Sequence, residues 1–208
     1  GATFPLGKAV NKGTISLTDI QNSVGAYVNI ASNITNDTDG KILIDSQIEK
    51  VSSGKQAVNI GMRADGDTQA EVINKGSISL LGNYGIGMLT KNANLTNTGT
   101  INSTNIKNGI GIVGIDHSVV KNSGAIKLLG TGQTNNIGIL LKDGSNGTIG
   151  GASSAGVTQS VEVSGNNSTG ILVSGESSLQ MAGNVVASGN SVTGIVADQS
   201  DITLNGNA

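Results

Sequence analysis

Short alternating stretches of polar and apolar residues, parted by small polar turns, recur along this chain. Ser77-Ile78-Ser79-Leu80 alternates strictly, which predicts a strand buried on one face. Gly82-Asn83 marks a turn. Ile86-Gly87-Met88-Leu89-Thr90 is a continuous apolar run and predicts a second strand. Lys91 to Asn94 is another turn, and Leu95-Thr96 a short third strand. Asn97-Thr98-Gly99 then opens a copy of the same series. Ile101 takes the place of Ile78, Ile110-Gly111-Ile112-Val113 that of Ile86 to Leu89, and Val120 that of Leu95. No helical periodicity persists, so few or no helices are expected.

Two units carry the repeat. The first begins at Val24-Gly25, Ile60-Gly61, Ile86-Gly87, Ile110-Gly111, Ile137-Gly138, Thr169-Gly170 and Thr193-Gly194, at intervals of roughly 23 to 36 residues. The second, Asn-x-Gly-x-Ile, begins at Asn11, Asn74 and Asn97, with Asn122-Ser123-Gly124-Ala125-Ile126 beside them. One unit cannot bury its apolar face alone, so the copies must stack. The expected fold is all-β, a parallel β-helix of about seven coils and about 34 Å long at the strand spacing of about 4.8 Å. Ile15, Ile42, Ile78, Ile101, Ile126 and Val185 should form one internal file, and Leu17, Ile44, Leu80 and Leu128 a second. The repeated Gly should mark a corner where backbones approach closely. The repeated Asn74, Asn97 and Asn122 should bond amide to amide from coil to coil.

Composition agrees with a narrow interior. Aromatic residues are 1% of the chain and glycine numbers 32 against a single proline. Charged residues are 12% and the net charge is -2, so neither nucleic acid nor an anionic membrane is an expected partner. There is no cysteine, which excludes disulfides, thiolate metal sites and a cysteine nucleophile. The chain reads as one β-helix segment over residues 1–208, and is expected to be a piece of a longer protein.

Departures from the repeat are where function is sought in such stacks. Two lateral insertions are expected, near 45–56 and 150–159. The first, with the turn that follows it, gathers much of the charge. Lys50, Lys55, Arg63, Asp65 and Asp67 are its candidate ligand-binding residues.

Other motifs do not carry chemistry. Gly109-Ile110-Gly111-Ile112-Val113-Gly114 matches a dinucleotide-binding pattern, but no helix follows and no acidic residue lies at the ribose position. Asp37-Thr38-Asp39-Gly40 and Asp65-Gly66-Asp67 lack the spacing of calcium loops, and turn chemistry accounts for both. His117, flanked by Asp116 and Ser118, lies on a tight turn where a catalytic relay cannot converge. Carboxylates are scattered and Phe4, Tyr27 and Tyr84 lie far apart, so no enzyme, cofactor or metal is expected.

The Asn-x-Gly-x-Ile units, the Gly-Ile-Gly-Ile/Met runs and the Cys-free Asn/Ser/Thr/Gly surface resemble the passenger domain of a bacterial type V autotransporter. The resemblance covers nearly the whole chain. It implies a right-handed parallel β-helix displayed outside the outer membrane, with a separate C-terminal β-barrel as the membrane anchor. It also implies an adhesin or adhesin stalk meeting a protein or glycan on a host or partner cell. The scaffold of a vacuolating-type toxin and a carbohydrate-active β-helix enzyme are the alternatives. No catalytic residue carries over, because neither a Gly-Asp-Ser-Gly protease motif nor an esterase-type nucleophile occurs here.

Overall fold

A computed structural model describes residues 7–45, 57–131, 134–151 and 154–205. The described residues hold strands and turns and no helix. Their strands form three parallel sheets, and each coil contributes one strand to each sheet. Sheet A contains Gly7–Asn11, Ser32–Asn36, Glu71–Asn74, Asn94–Asn97, Val119–Asn122, Asn146–Ile149, Ser178–Met181 and Asp201–Leu204. Sheet B contains Thr14–Thr18, Lys41–Asp45, Ser77–Leu80, Thr100–Thr104, Ala125–Leu129, Ser160–Ser164 and Val185–Ser188. Sheet C contains Val24–Asn29, Asn59–Asp65, Gly85–Lys91, Ile110–Ile115, Ile137–Leu141, Thr169–Ser174 and Thr193–Asp198. The product is a β-solenoid of about seven turns, as the repeat requires.

Stacking is like on like. Ile15, Ile42, Ile78, Ile101, Ile126, Val161 and Val185 lie on successive rungs of sheet B and fill the first internal file. Val161 joins the members read from the sequence. The second file runs Leu17, Ile44, Leu80, Ser103, Leu128, Val163 and Ala187. Ser103 is the exception. Its hydroxyl is buried between Leu80 and Leu128 without a hydrogen-bond partner among the described residues.

Each corner has its own solution for backbone groups that no strand satisfies. Between sheets A and B, a row of asparagines, buried from Asn36 to Asn122 and partly exposed at Asn11, bonds amide to amide. Asn11 Nδ2 donates to Asn36 Oδ1 at 2.8 Å, Asn36 to Asn74 at 2.8 Å, Asn74 to Asn97 at 2.8 Å and Asn97 to Asn122 at 2.7 Å. The expected ladder thus exists and extends two coils further down than the three residues that suggested it. Above Asn122 the file turns apolar, with Ile149, Met181 and Leu204. Between sheets C and A the file is Ala70, Ala93, Ser118, Ser145, Ser177 and Ser200. Ser145 Oγ accepts from the Ser118 amide at 3.2 Å, Ser177 Oγ from Ser145 at 3.0 Å and Ser200 Oγ from Ser177 at 3.2 Å.

The repeated glycine lies inside the strands of sheet C. Ladder pairs fall on either side of it, as Ile110–Ile137 and Ile112–Ile139 do around Gly111. Gly111 and Ile112 are both buried, so the in–out alternation slips by one residue there. A Cβ on Gly111 would stand 2.6 Å from the Gly138 carbonyl oxygen and 2.6 Å from Ile126 Cγ2, and Gly87 is equally tight against Gly111 O at 2.6 Å. The expected close approach is present and only glycine fits it, but it falls within the strand and not at a corner as expected, because the slip in alternation is taken up inside the ladder.

Of the two expected insertions, the first lies outside the described residues from 46 to 56. In the second, Ser154 reaches back to the corner of an earlier coil. Its amide donates to the Thr98 carbonyl at 2.8 Å, and its hydroxyl lies 2.8 Å from Thr98 Oγ1.

Two stability outcomes follow from these contacts. Asn97→Ala leaves Asn74 Nδ2 with the Thr100 carbonyl as its remaining acceptor and the buried Asn122 Oδ1 without its Asn97 donor, and should destabilise the chain by about 2 kcal/mol in urea unfolding. Ser103→Ala removes an unpaired buried hydroxyl with little change of volume, and should stabilise it by about 1 kcal/mol in the same measurement.

Candidate binding site

Sheet C has an outer file set by the glycine slip. Residues three after the start of each Gly unit share it: Tyr27, Arg63, Leu89, Val113, Leu140, Leu172 and Val196. Tyr27 therefore sits on the rung beside Arg63, although 36 residues separate them. Two residues further along the strand, Asp65 lies between Asn29 on one side and Lys91 on the other.

Arg63 and Asp65 point to the same face because they stand two positions apart on one strand. The guanidinium grips the carboxylate from the side. Nε donates to Oδ1 at 3.0 Å and to Oδ2 at 2.9 Å, and Nη2 lies 2.8 Å from Oδ2. Side chains of both are partly covered, at 34% and 19% exposure, so the planar pair is held in one orientation. Tyr27 is 50% exposed on the neighbouring rung, within electrostatic reach of the same carboxylate. Loss of solvent around the phenol raises its pKa above the ordinary tyrosine value. The negative charge of Asp65 and the hydrogen bond donated to it act in the same direction, and Arg63 opposes them.

Around this trio the surface is concave. One open depression of about 370 Å³ lies between Val24, Tyr27, Arg63 and Asp65. A second, of about 360 Å³, continues from Tyr27, Arg63 and Asp65 to Asn29, Lys91 and Asp116. They share three side chains and form one shallow notch across four coils.

The residues singled out from the sequence separate here. Arg63 and Asp65 are brought together at the notch. Asp67 is turned into its own loop, where Oδ1 accepts from the amides of Gln69 and Ala70, both at 2.9 Å. Its chemistry is that of a turn. Lys50 and Lys55 lie outside the described residues. Tyr27, Asn29, Lys91 and Asp116 were not anticipated. Aligning the chain on its Gly units places Tyr27 beside Arg63, so a signal for the aromatic member was present.

The other motif residues are placed as follows. His117 is exposed at a corner with its ring 3.3 Å from Asp116 Oδ1, while the buried Ser118 donates its hydroxyl to the Ile115 carbonyl at 2.6 Å. Ile110–Ile115, the glycine-rich pattern, is a strand of sheet C. Among the described residues no three His, Asp or Glu side chains gather into a potential metal site.

Comparison with known proteins adds one finding. Residues 4–106, just under half of the chain, match the family model described as the BigA third pectate lyase-like domain. The match includes Tyr27, Arg63 and Asp65. It suggests a bacterial surface protein built on a β-helix-like domain. No curated protein and no solved structure matches the chain.

The electrostatics of the trio can be read by titration. In a Tyr84→Phe background Tyr27 is the sole tyrosine. Asp65→Asn removes the negative charge that favours the neutral phenol, so tyrosinate absorbance should appear at lower pH than in the parent. An unchanged titration would show that Tyr27 and Asp65 do not touch in solution.

Proposed function

We propose that this chain is a segment of a surface-displayed autotransporter passenger, acting as an adhesin or adhesin stalk and not as a catalyst. One observation carries the reading. The coils stack in unbroken register, with buried side-chain ladders at two corners, which makes a stiff shaft whose outward side chains are fixed relative to one another. Stiffness of this kind suits a part that holds a binding surface away from the cell. The surface-protein character of the matched family supports the location. The notch at Tyr27, Arg63 and Asp65 supplies a place for contact, and shallow contacts of this size gain strength when many copies are displayed together.

The description of the matched family as pectate lyase-like favours a second reading, cleavage of an acidic polysaccharide. The place for it is a depression of about 170 Å³ on the outer face of sheet A, lined by Glu71, Asn94, Thr96 and Lys121. There the Glu71 carboxylate accepts a hydrogen bond from Thr96 at 2.7 Å. Formation of unsaturated ends from polygalacturonate, abolished by Lys121→Ala, would establish this second reading.

Beads coated with the chain test the first. They should adhere to at least one class in a panel of animal, plant and bacterial cells, and Arg63→Ala should weaken adhesion several-fold. Beads that adhere to no cell class, or cell binding by an otherwise competent full-length protein that Lys50→Ala, Lys55→Ala and Arg63→Ala together leave unchanged, would reduce this segment to a spacer.

A further inference from the structure

We infer that the notch on sheet C takes an uncharged sugar ring, stacked on Tyr27 with its hydroxyls against the Arg63–Asp65 pair. The inference rests on the adhesive reading for its biological setting and on geometry for its chemistry.

A pyranose has two unlike surfaces, a face of C–H groups and an edge of hydroxyls. The notch offers a counterpart to each. Tyr27 presents half of its surface to solvent beside the aliphatic Val24, and both line the first depression. An aromatic ring of this kind buries apolar area and keeps a polar tip, as a C–H face beside hydroxyls requires. Arg63 uses Nε and Nη2 on Asp65, which leaves its other N–H groups as donors in a fixed plane. The Asp65 oxygens retain lone pairs beyond those that Arg63 occupies. Donors and acceptors thus lie side by side, the pattern that adjacent hydroxyls satisfy. Because the carboxylate already holds the guanidinium, little ordering remains for a ligand to impose.

Charge selects among sugars. Arg63 and Lys91 bring two positive groups to the notch, and Asp65 and Asp116 two negative ones. The sum is zero, and the positive charge nearest the ring is already neutralised by Asp65. Among the described residues the cation on the rung beside Tyr27 is Arg63, already paired, and Lys91 stands one coil further away. A neutral hexose or N-acetylhexosamine has no charge to strip of water and can use both donors and acceptors. The two depressions meet at Tyr27, and each falls within the ordinary range of about 300–1,000 Å³ for small-ligand sites. The site therefore has room for a second ring toward Lys91.

The test uses the whole 208-residue chain. Saturation-transfer NMR would be run with methyl glucoside, methyl galactoside, methyl mannoside, N-acetylglucosamine, N-acetylgalactosamine and lactose. Galacturonic acid and sialyllactose are the anionic arms. The chain has no tryptophan, so tyrosine fluorescence in the Tyr84→Phe background reports on Tyr27 alone. At least one neutral sugar is expected to bind, to perturb that fluorescence, and to lose affinity by about tenfold in Tyr27→Ala. Tyr27→Phe should keep most of the affinity, since the ring supplies the stacking face. Circular dichroism matching the parent would show that Tyr27→Ala still folds. No neutral sugar bound, preference for an anionic one, or affinity indifferent to Tyr27→Ala would each overturn the inference. Bead adhesion measured in parallel separates the two ideas. Adhesion that no sugar inhibits would leave the adhesive reading intact and end this one. Sugar binding without adhesion would do the reverse.

Discussion

Among the described residues every inner strand is hydrogen-bonded to the strands of the coils before and after it, and strand residues lie on their counterparts. This constraint governs the rest. A residue type survives in the stack only if it tolerates itself about 4.8 Å away. Isoleucine does, because its branched face packs against another of its kind. Asparagine does better than tolerate it, since its amide donates upward and accepts downward, as Asn36, Asn74 and Asn97 do in series. A column of like charges would repel, which accords with only 12% charged residues. Broad aromatic side chains would not fit so narrow an interior. The unusual composition is thus the chemistry of self-stacking, written along the chain.

The same rule explains why the notch is possible and where it lies. Outward files are free of the requirement to match, so different residues can meet there at a fixed spacing. Tyr27, Arg63 and Leu89 are successive members of one file, and Asn29, Asp65 and Lys91 of the next. The strands that carry Arg63, Asp65, Leu89 and Lys91 are paired on both sides, Val24–Asn29 with Tyr27 is the edge strand paired to Asn59–Asp65 alone, and Arg63 and Asp65 hold one another. A binding surface built this way is rigid before its ligand arrives. It is also easily varied, because an outward substitution leaves the internal files untouched.

Much of this was legible in the sequence because the repeat is read in the same register in which the coils stack. Ile42, Ile78 and Ile101 fall into file when the units are aligned, and Asn74, Asn97 and Asn122 into ladder. What escaped the reading lay where the repeat changes its residue type. Ser103 occupies a Leu position, where alternation from Ile101 points it inward, but its hydroxyl carries no apolar signal to mark the file. The Ala70, Ala93, Ser118, Ser145 file sits in turns, where small residues carry no periodic signal. At the site, counting charges along the chain placed Asp67 with Asp65, yet one residue between them sends the first into its own turn and the second onto the sheet face. Proximity in sequence misled, while alignment on the Gly units would have brought Tyr27 to Arg63.

The apolar runs of sheet C raise one further physical point. A continuous run such as Ile110 to Ile115 usually denotes a strand covered on both faces. Here the glycine slip turns Ile112 inward and leaves Ile110 and Val113 on the outside, in files with Ile86 and Leu89 below and Ile137 and Leu140 above. Val113 is nevertheless only 4% exposed, and Ile110, Ile137 and Leu140 are partly covered. The covering comes from the file itself. Rungs are closer together than an aliphatic side chain is wide, so each outward Ile, Leu or Val shields the flanks of its neighbours. Self-stacking therefore buries apolar surface even on a face that no other strand among the described residues covers. An aliphatic outer file can hold the shaft straight without a partner, and its hydrophobicity does not by itself make it an interface. The polar break in that file at Arg63, beside the half-exposed Tyr27, is the place where the outer surface stops serving the stack and becomes available for recognition.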